Sequence, residues 1–237
     1  MSSRPKRTSL QDRVREDLLY RLRWNVLAPL DDIKIRTGPG DSTTDVPLFE
    51  HYLANESIAS PPFSRIDEVC VGEYLNRVDI RYEEHERYKP PPALTIDNAN
   101  DSPITLGQFA KETHAYLNLH MEELKLAKGM LFGKPSGVTE DGIVIRTISD
   151  EPYSPPDIGF FFMHVAAIQI GKVVRFSTRV FAEGERWRTT DTFWATQLKQ
   201  AHYREQLRKN PGMPVPSARS RVHDEDIQDA LRQAYRE

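Results

Sequence analysis

Two histidines on one predicted helix, His114 and His120, come closer to a metal site than any other pair in this sequence. Histidine ligands from one helix normally stand one turn apart, so that both rings reach the same ion. Here the separation is six residues, which turns the rings to different sides of the helix. Hydrogen-bonded core histidines explain the pair better, and the sequence predicts no metal site and no cofactor.

A third histidine, His164, lies in the apolar segment 158–170, on the same predicted strand face as Phe160 and Phe162. Burial holds such an imidazole neutral unless a carboxylate pairs with it. His164 is therefore a candidate general base at a pocket, with His114 as the second candidate. The sequence does not bring an acid, a base and a nucleophile together, so it favours a protein that is not an enzyme.

Cys70 is the only cysteine, which excludes an intramolecular disulfide and an all-cysteine metal site. Carboxylates near it in the sequence raise the pKa of a thiol, so we expect an unreactive core residue. Such cysteine usage is typical of a reducing compartment, and the run from Arg4 to Arg7 is similar to a minimal nuclear-import patch. We expect a cytoplasmic or nuclear protein without a membrane span.

Four arginines and one tryptophan lie within residues 175–188, just after the apolar segment 158–170. Interleaved cations and rings suit single-stranded nucleic acid, because cations contact phosphates while rings stack on bases. Acidic residues interrupt the row, and a solvated strand face explains it as well. One alternative function is therefore a nucleic-acid-associated protein that uses Arg175, Arg179, Arg186, Trp187 and Arg188.

The element that must position these side chains is a β-hairpin at about 158–182. Residues 158–170 are apolar on both alternating faces, which is typical of a strand covered on both sides. The pair Gly171-Lys172 suits a type II′ turn, whose first central residue needs a positive φ. Residues 173–182 alternate between apolar and polar side chains, which predicts a strand with one solvent-exposed face.

Helical periodicity is clearest near 105–128 and near 190–209, on either side of the hairpin. Shorter elements are expected as a helix over 66–75 and strands at 94–96 and 143–148. Helices and strands do not alternate regularly, so we predict an α+β fold in which helices pack on an antiparallel sheet with the hairpin buried at its centre. We expect a single domain over 29–210, with a loop-rich, acidic first half.

Amphipathic helices are also predicted at both ends of the chain. The basic segment 1–28 contains one over 9–25, and the segment 211–237 contains a flexible linker followed by a short helix. Narrow apolar stripes of this kind fit a hydrophobic groove on a partner, although each helix could also fold back on its own domain. The residues expected to contact a partner are Leu10, Val14, Leu18, Leu22, Ile227 and Leu231.

Charge is segregated along the chain, although the net charge is only -3. Residues 31–101 carry seven Lys/Arg against fifteen Asp/Glu, whereas 172–209 carry nine against four. Such regions complement each other within a fold or present a charged face to a partner. We hypothesise a non-enzymatic protein–protein interaction or assembly subunit that binds another protein or itself as a homo-oligomer. The alternatives are the nucleic-acid role and a small-molecule enzyme or binder with a buried histidine.

Overall fold

The computed structural model describes residues 9–38, 43–77, 85, 88–132, 134–140, 144–147, 158–185 and 188–210. Its helices are α1 (Leu10–Arg13), α2 (Glu16–Leu19), α3 (Gly72–Arg77), α4 (Leu106–Leu119), α5 (Met121–Phe132) and α6 (Thr190–Lys209). Its strands are β1 (Leu22–Arg23), β2 (Lys34–Thr37), β3 (Thr44–Pro47), β4 (Arg65–Val71), β5 (Leu94–Asp97), β6 (Lys134–Val138), β7 (Val144–Thr147), β8 (Phe160–Ile170) and β9 (Val173–Ala182). The predicted α+β class is confirmed.

A four-stranded sheet in the order β5-β4-β9-β8 forms the centre of the fold. The β8–β9 and β4–β5 pairs are antiparallel, as expected. The β4–β9 pair is parallel, with Val69 opposite Phe176, so the sheet is mixed rather than antiparallel throughout. A parallel pair needs a long crossover, and the chain between β4 and β9, which contains α3, α4 and α5, supplies it.

The predicted hairpin forms with its turn at Gly171, whose φ is +62° as a type II′ turn requires. The environments of its two strands are the reverse of the expectation. β9 is an inner strand, paired on both sides and buried on both faces from Phe176 to Thr178. β8 is the last strand of this sheet, and its end at 168–170 is exposed. Which strand becomes central depends on where β4 pairs, which local periodicity does not report.

The helices near the hairpin follow the predicted bounds with one interruption. α6 begins after Thr189, whose hydroxyl accepts a hydrogen bond from the Thr192 amide. The single helix expected over 105–128 is divided into α4 and α5 at His120, which leaves the helical conformation at φ −111° and ψ 25°. The Tyr74 hydroxyl donates to the carbonyl oxygen of His120 at 3.1 Å, which stabilises this break.

Shorter predicted elements have mixed outcomes. β5 and β7 confirm the strands expected at 94–96 and 143–148. The helix expected over 66–75 is wrong in its first half, because Arg65–Val71 is a strand. Its partners β5 and β9 select that conformation, and only Gly72–Arg77 is helical.

The continuous helix predicted over 9–25 is replaced by α1, α2 and β1. Ser9 does cap α1, since its hydroxyl accepts from the Asp12 amide while the Asp12 carboxylate accepts from the Ser9 amide. The helix stops at Val14, which has extended φ and ψ and bridges to Ala59. The Arg15 amide then donates to the carbonyl oxygen of Ile58 at 2.7 Å, so pairing with another segment has displaced helix continuation.

Main-chain pairing also draws the first segment into the core. The predicted stripe lies there, with all four of its residues at most 8% exposed: Leu10, Val14, Leu18 and Leu22. α6 packs over α2, where Arg21 pairs with Glu205 at 2.8 Å. Residues 9–28 of the basic first segment are thus part of the domain and do not form a separate helix. Residues 1–8 and 211–237, with Ile227 and Leu231, lie outside the described residues.

Candidate functional site

The outer edge of β8 is covered unevenly, and its first part is paired with main chain. The Val26 amide donates to the carbonyl oxygen of Phe160 at 2.6 Å, and the Phe162 amide donates to that of Trp24 at 3.0 Å. Asn25 stands opposite Phe161 as an antiparallel bridge. The segment after β1 therefore acts as a short additional strand on this edge.

The middle part of the edge is covered by one side chain. The Gln11 amide group donates to the carbonyl oxygen of Val165 at 3.2 Å and accepts from the Ala167 amide. Gln11 also donates to the Glu16 carboxylate at 2.8 Å. A primary amide that donates and accepts in this way replaces the hydrogen bonds of a neighbouring strand.

In the last part of β8, from the Ala167 carbonyl to Ile170, no described residue forms a hydrogen bond to the outer side of the strand. We call Ala167–Ile170 the open edge. Because Gln11 contacts Val165 and Ala167, the odd-numbered residues direct their main-chain groups outward. The Ala167 carbonyl and both main-chain groups of Gln169 therefore face outward, and no hydrogen bond within the described part of the chain reaches them. Two isoleucines flank Gln169 here, Ile168 at 45% exposure and Ile170 at 53%.

Folded proteins normally protect such an edge with charges, proline or a bulge. The open edge has neither charge nor proline, and the β8 bulge lies earlier, between Phe162 and His164. Exposed β-branched side chains beside unpaired main-chain groups can accept a further strand. The sequence did not predict this site, because a continuous apolar run predicts a strand that is buried on both faces. The feature that could have indicated an exposed edge is that the apolar run reaches the turn without a charged residue.

Four of the residues predicted to bind a partner lie away from the open edge. Leu10, Val14, Leu18 and Leu22 are buried in the main core, where no partner could contact them without opening the domain. Their periodicity correctly indicated side chains that must be buried, and this domain itself covers them.

The predicted cationic row is only partly assembled. Arg175 forms an ion pair with Glu68 across the β4–β9 pair. A Cβ on Gly72 would lie 2.5 Å from Nε of Arg179, so this side chain lies directly over the Gly72 backbone. The Arg188 amide donates to the carbonyl oxygen of Glu185. Arg186 and Trp187 lie outside the described residues.

Cys70 lies opposite Ser177 on the same face of the sheet. It is buried, as expected. Burial rather than a neighbouring carboxylate is the main cause that raises the pKa of its thiol.

His164 does not share a face with Phe160 and Phe162, and that prediction is wrong. The bulge between Phe162 and His164 changes the alternation, so that Val165 and not His164 follows Phe162 into the core. The His164 ring lies 6.4 Å from the Tyr20 ring and is partly exposed.

His114 is a hydrogen-bonded histidine at the edge of the core. Its Nδ1 accepts from Nε1 of the buried Trp24 at 3.1 Å. An indole nitrogen can only donate, so Nδ1 carries no proton in this arrangement. Burial lowers the pKa of His114 because the charged imidazolium is poorly solvated there.

The free energy of unfolding is expected to fall as the pH drops below about 6.5, the ordinary pKa of histidine. The unfolded chain binds a proton on His114 first, because the pKa is lower in the folded state, so acid favours unfolding. Urea unfolding at about pH 7.5 and about pH 5.5 measures this effect. His114→Gln keeps an acceptor for Trp24 but does not titrate, and it should lose less stability. An equal loss in both proteins would contradict the assignment.

A buried charge cluster was not predicted at all. Lys128 of α5 lies between two carboxylates, with its Nζ 2.8 Å from Glu73 and 2.8 Å from Glu185. The Glu185 carboxylate also accepts from the Ala182 amide at 3.1 Å. All three charged side chains are at most 6% exposed. Their distance in sequence leaves no local signal, and the cluster closes the core where β4 and β9 end.

Among the described residues, no group of histidine, cysteine and acidic side chains could hold a metal ion, and no helix is long and apolar enough to cross a membrane. Comparison with protein families, with curated proteins and with solved structures gives no match for this chain.

Proposed function

We propose that this protein is a non-enzymatic interaction or assembly subunit, and that the open edge is its contact surface. The observation that carries the proposal is the contrast along one strand. Main chain covers β8 at 160–162 and Gln11 covers it from Val165 to the Ala167 amide. From the Ala167 carbonyl to Ile170, no described residue forms a hydrogen bond to the outer side of the strand. An added strand gains main-chain hydrogen bonds there, and the two isoleucines supply contacts that discriminate between partners.

The two alternative functions have weaker support. A phosphate-binding row needs cations that are not already neutralised, and Arg175 is paired with Glu68. A catalytic histidine needs an acid or a nucleophile in reach, whereas His114 accepts its hydrogen bond from an indole. The interaction role requires only the main-chain groups and the isoleucines that the open edge presents.

The proposal predicts that charges on the open edge abolish partner binding without unfolding the protein. In Ile168→Lys with Ile170→Lys, two ammonium groups replace exposed apolar side chains, so an added strand would have to desolvate them. The full-length chain and this variant would be used as bait in a native lysate treated with nuclease. We expect a stoichiometric protein with the wild type, whether another protein or this chain itself, and none with the variant.

The matched control is Leu119→Lys, because Leu119 is 78% exposed and is the last residue of α4 rather than a residue of β8. This control should bind as the wild type does. Equal binding by the wild type, the double variant and the control would show that the open edge has no role. Circular dichroism of each protein establishes that its fold is intact.

A further inference from the structure

We infer that the strand which completes the open edge is the same edge of a second copy of this chain. The inference rests on the proposed function, since it takes Ala167–Ile170 as the contact surface. It names the partner and the pairing: β8 lies antiparallel to β8 of the second copy, about a two-fold axis through Gln169.

The hydrogen-bonding pattern of β8 permits this pairing. Ile170 stands opposite Val173 across the turn and Ile168 opposite Arg175, so even-numbered residues direct their main-chain groups to β9. Gln169 directs its amide and carbonyl to the other side. Two copies related by the axis would therefore exchange both bonds between Gln169 and Gln169, the pattern of an antiparallel hydrogen-bonded pair.

The side chains beside the axis are complementary to themselves. With Gln169 on the axis, Ile168 of one copy stands opposite Ile170 of the other, and both lie on the same face of the sheet. Cross-strand pairs of β-branched residues on one face stabilise a sheet, and the symmetry produces this contact twice. A strand that reads isoleucine, glutamine, isoleucine presents the same pattern in both directions.

Charges beside the pairing are also complementary. The two-fold register carries Lys172, exposed at the hairpin turn, past Ala167 of the second copy towards its α1. Asp12 is the exposed acidic residue of α1, next to Gln11. The neighbouring cation, Arg13, is turned away, 3.2 Å from the carbonyl oxygen of Pro61 and over the Phe63 ring. Each Lys172 thus approaches a carboxylate, which favours this register.

Residues 1–8 of the same chain are a poorer occupant, although they precede α1 and the edge. They contain Arg4, Lys6 and Arg7, and Pro5 lacks the amide that a strand needs. Their side chains offer little apolar surface to cover Ile168 and Ile170. The symmetric copy offers two isoleucines and an unpaired amide in matching positions.

The test is sedimentation velocity of the full-length chain from about 5 to about 500 μM, because a short edge contact gives a weak dimer. We expect the wild type to change from monomer to dimer over this range. Gln169→Pro removes the outward amide but no main-chain hydrogen bond of the domain, and it should weaken the dimer at least about tenfold. The side-chain hydrogen bond from Gln169 to the Gly171 carbonyl is lost equally in Gln169→Pro and in Gln169→Thr. Gln169→Thr keeps the amide and is the matched control; it should dimerise as the wild type does.

Two results would overturn the inference: a wild type that stays monomeric throughout, or a dimer that Gln169→Pro leaves unchanged. If either occurs while the lysate experiment still shows a protein lost with Ile168→Lys and Ile170→Lys, the open edge binds a different protein and the proposed function stands. If the double variant also leaves the captured proteins unchanged, both proposals fail. The thermal transition of Gln169→Pro confirms that a lost dimer does not result from unfolding.

Discussion

Lys128→Met is expected to lower the free energy of unfolding by about 3–5 kcal/mol, the usual effect of removing one member of a buried ion pair. Methionine fills the volume of the lysine stem, so the loss arises from charge and not from a cavity. The carboxylates of Glu73 and Glu185 would remain in the core without the cation between them. One oxygen of Glu73 has no hydrogen-bond partner among the described residues even with Lys128 present. Urea unfolding measures the change.

Lys125→Met is the matched control for this prediction, since Lys125 lies on the same helix and pairs with the exposed Glu122. Its cost should stay within about 0.5 kcal/mol, as is usual for surface pairs. Adding Glu73→Gln to Lys128→Met should recover part of the stability, because one buried negative charge is removed. Equal midpoints for Lys128→Met and Lys125→Met would show that the cluster does not stabilise the core.

Leu18→Asp is expected to abolish cooperative folding. Leu18 is 3% exposed in the main core, and an unpaired carboxylate there costs several kcal/mol in addition to the lost apolar contacts. The total approaches the entire stability of an ordinary domain, about 5–15 kcal/mol. The measurement is near-ultraviolet circular dichroism with a thermal scan. We expect the wild type to show a cooperative transition and the variant to show none.

Leu119→Asp provides the comparison, because Leu119 also lies on a helix but is 78% exposed. Its transition should move by only a degree or two, about the effect of a surface substitution. A folded Leu18→Asp protein that had lost only partner binding would contradict the structure. It would restore the expectation that the first segment is a separate, partner-facing helix.

Elements with strong local periodicity could be predicted from the sequence. The hairpin turn at Gly171 and the start of α6 at Thr189 follow from residue chemistry within a few positions. The side chains of Leu10, Val14, Leu18 and Leu22 were correctly identified as ones that must be buried. The conformation of this segment could not be predicted, because hydrogen bonds with Ile58 and Ser60 compete with helix formation and come from a distant part of the chain.

Features that depend on sheet order could not be predicted. The exposure of β8 and the burial of β9 follow from the pairing of β4 with β9, which alternation within either strand does not report. The open edge is a consequence of the same order. His164 was misplaced by a single inserted residue, since a bulge reverses the face on which the later residues of the strand lie. The cluster around Lys128 joins residues that only the tertiary fold brings together.

The parallel pairing of β4 with β9 also determines how late the central sheet can be completed during translation. Val69 emerges from the ribosome long before Phe176, the residue that stands opposite it in the sheet. At a translation rate of about 5–20 residues per second, β9 is synthesised on the order of 5–20 s after β4. Until then the apolar side chains of β4 have only β5 as a strand partner in the central sheet. We expect chaperones that bind exposed apolar side chains to act on β4 during this interval, before Phe176 is available to pair with Val69.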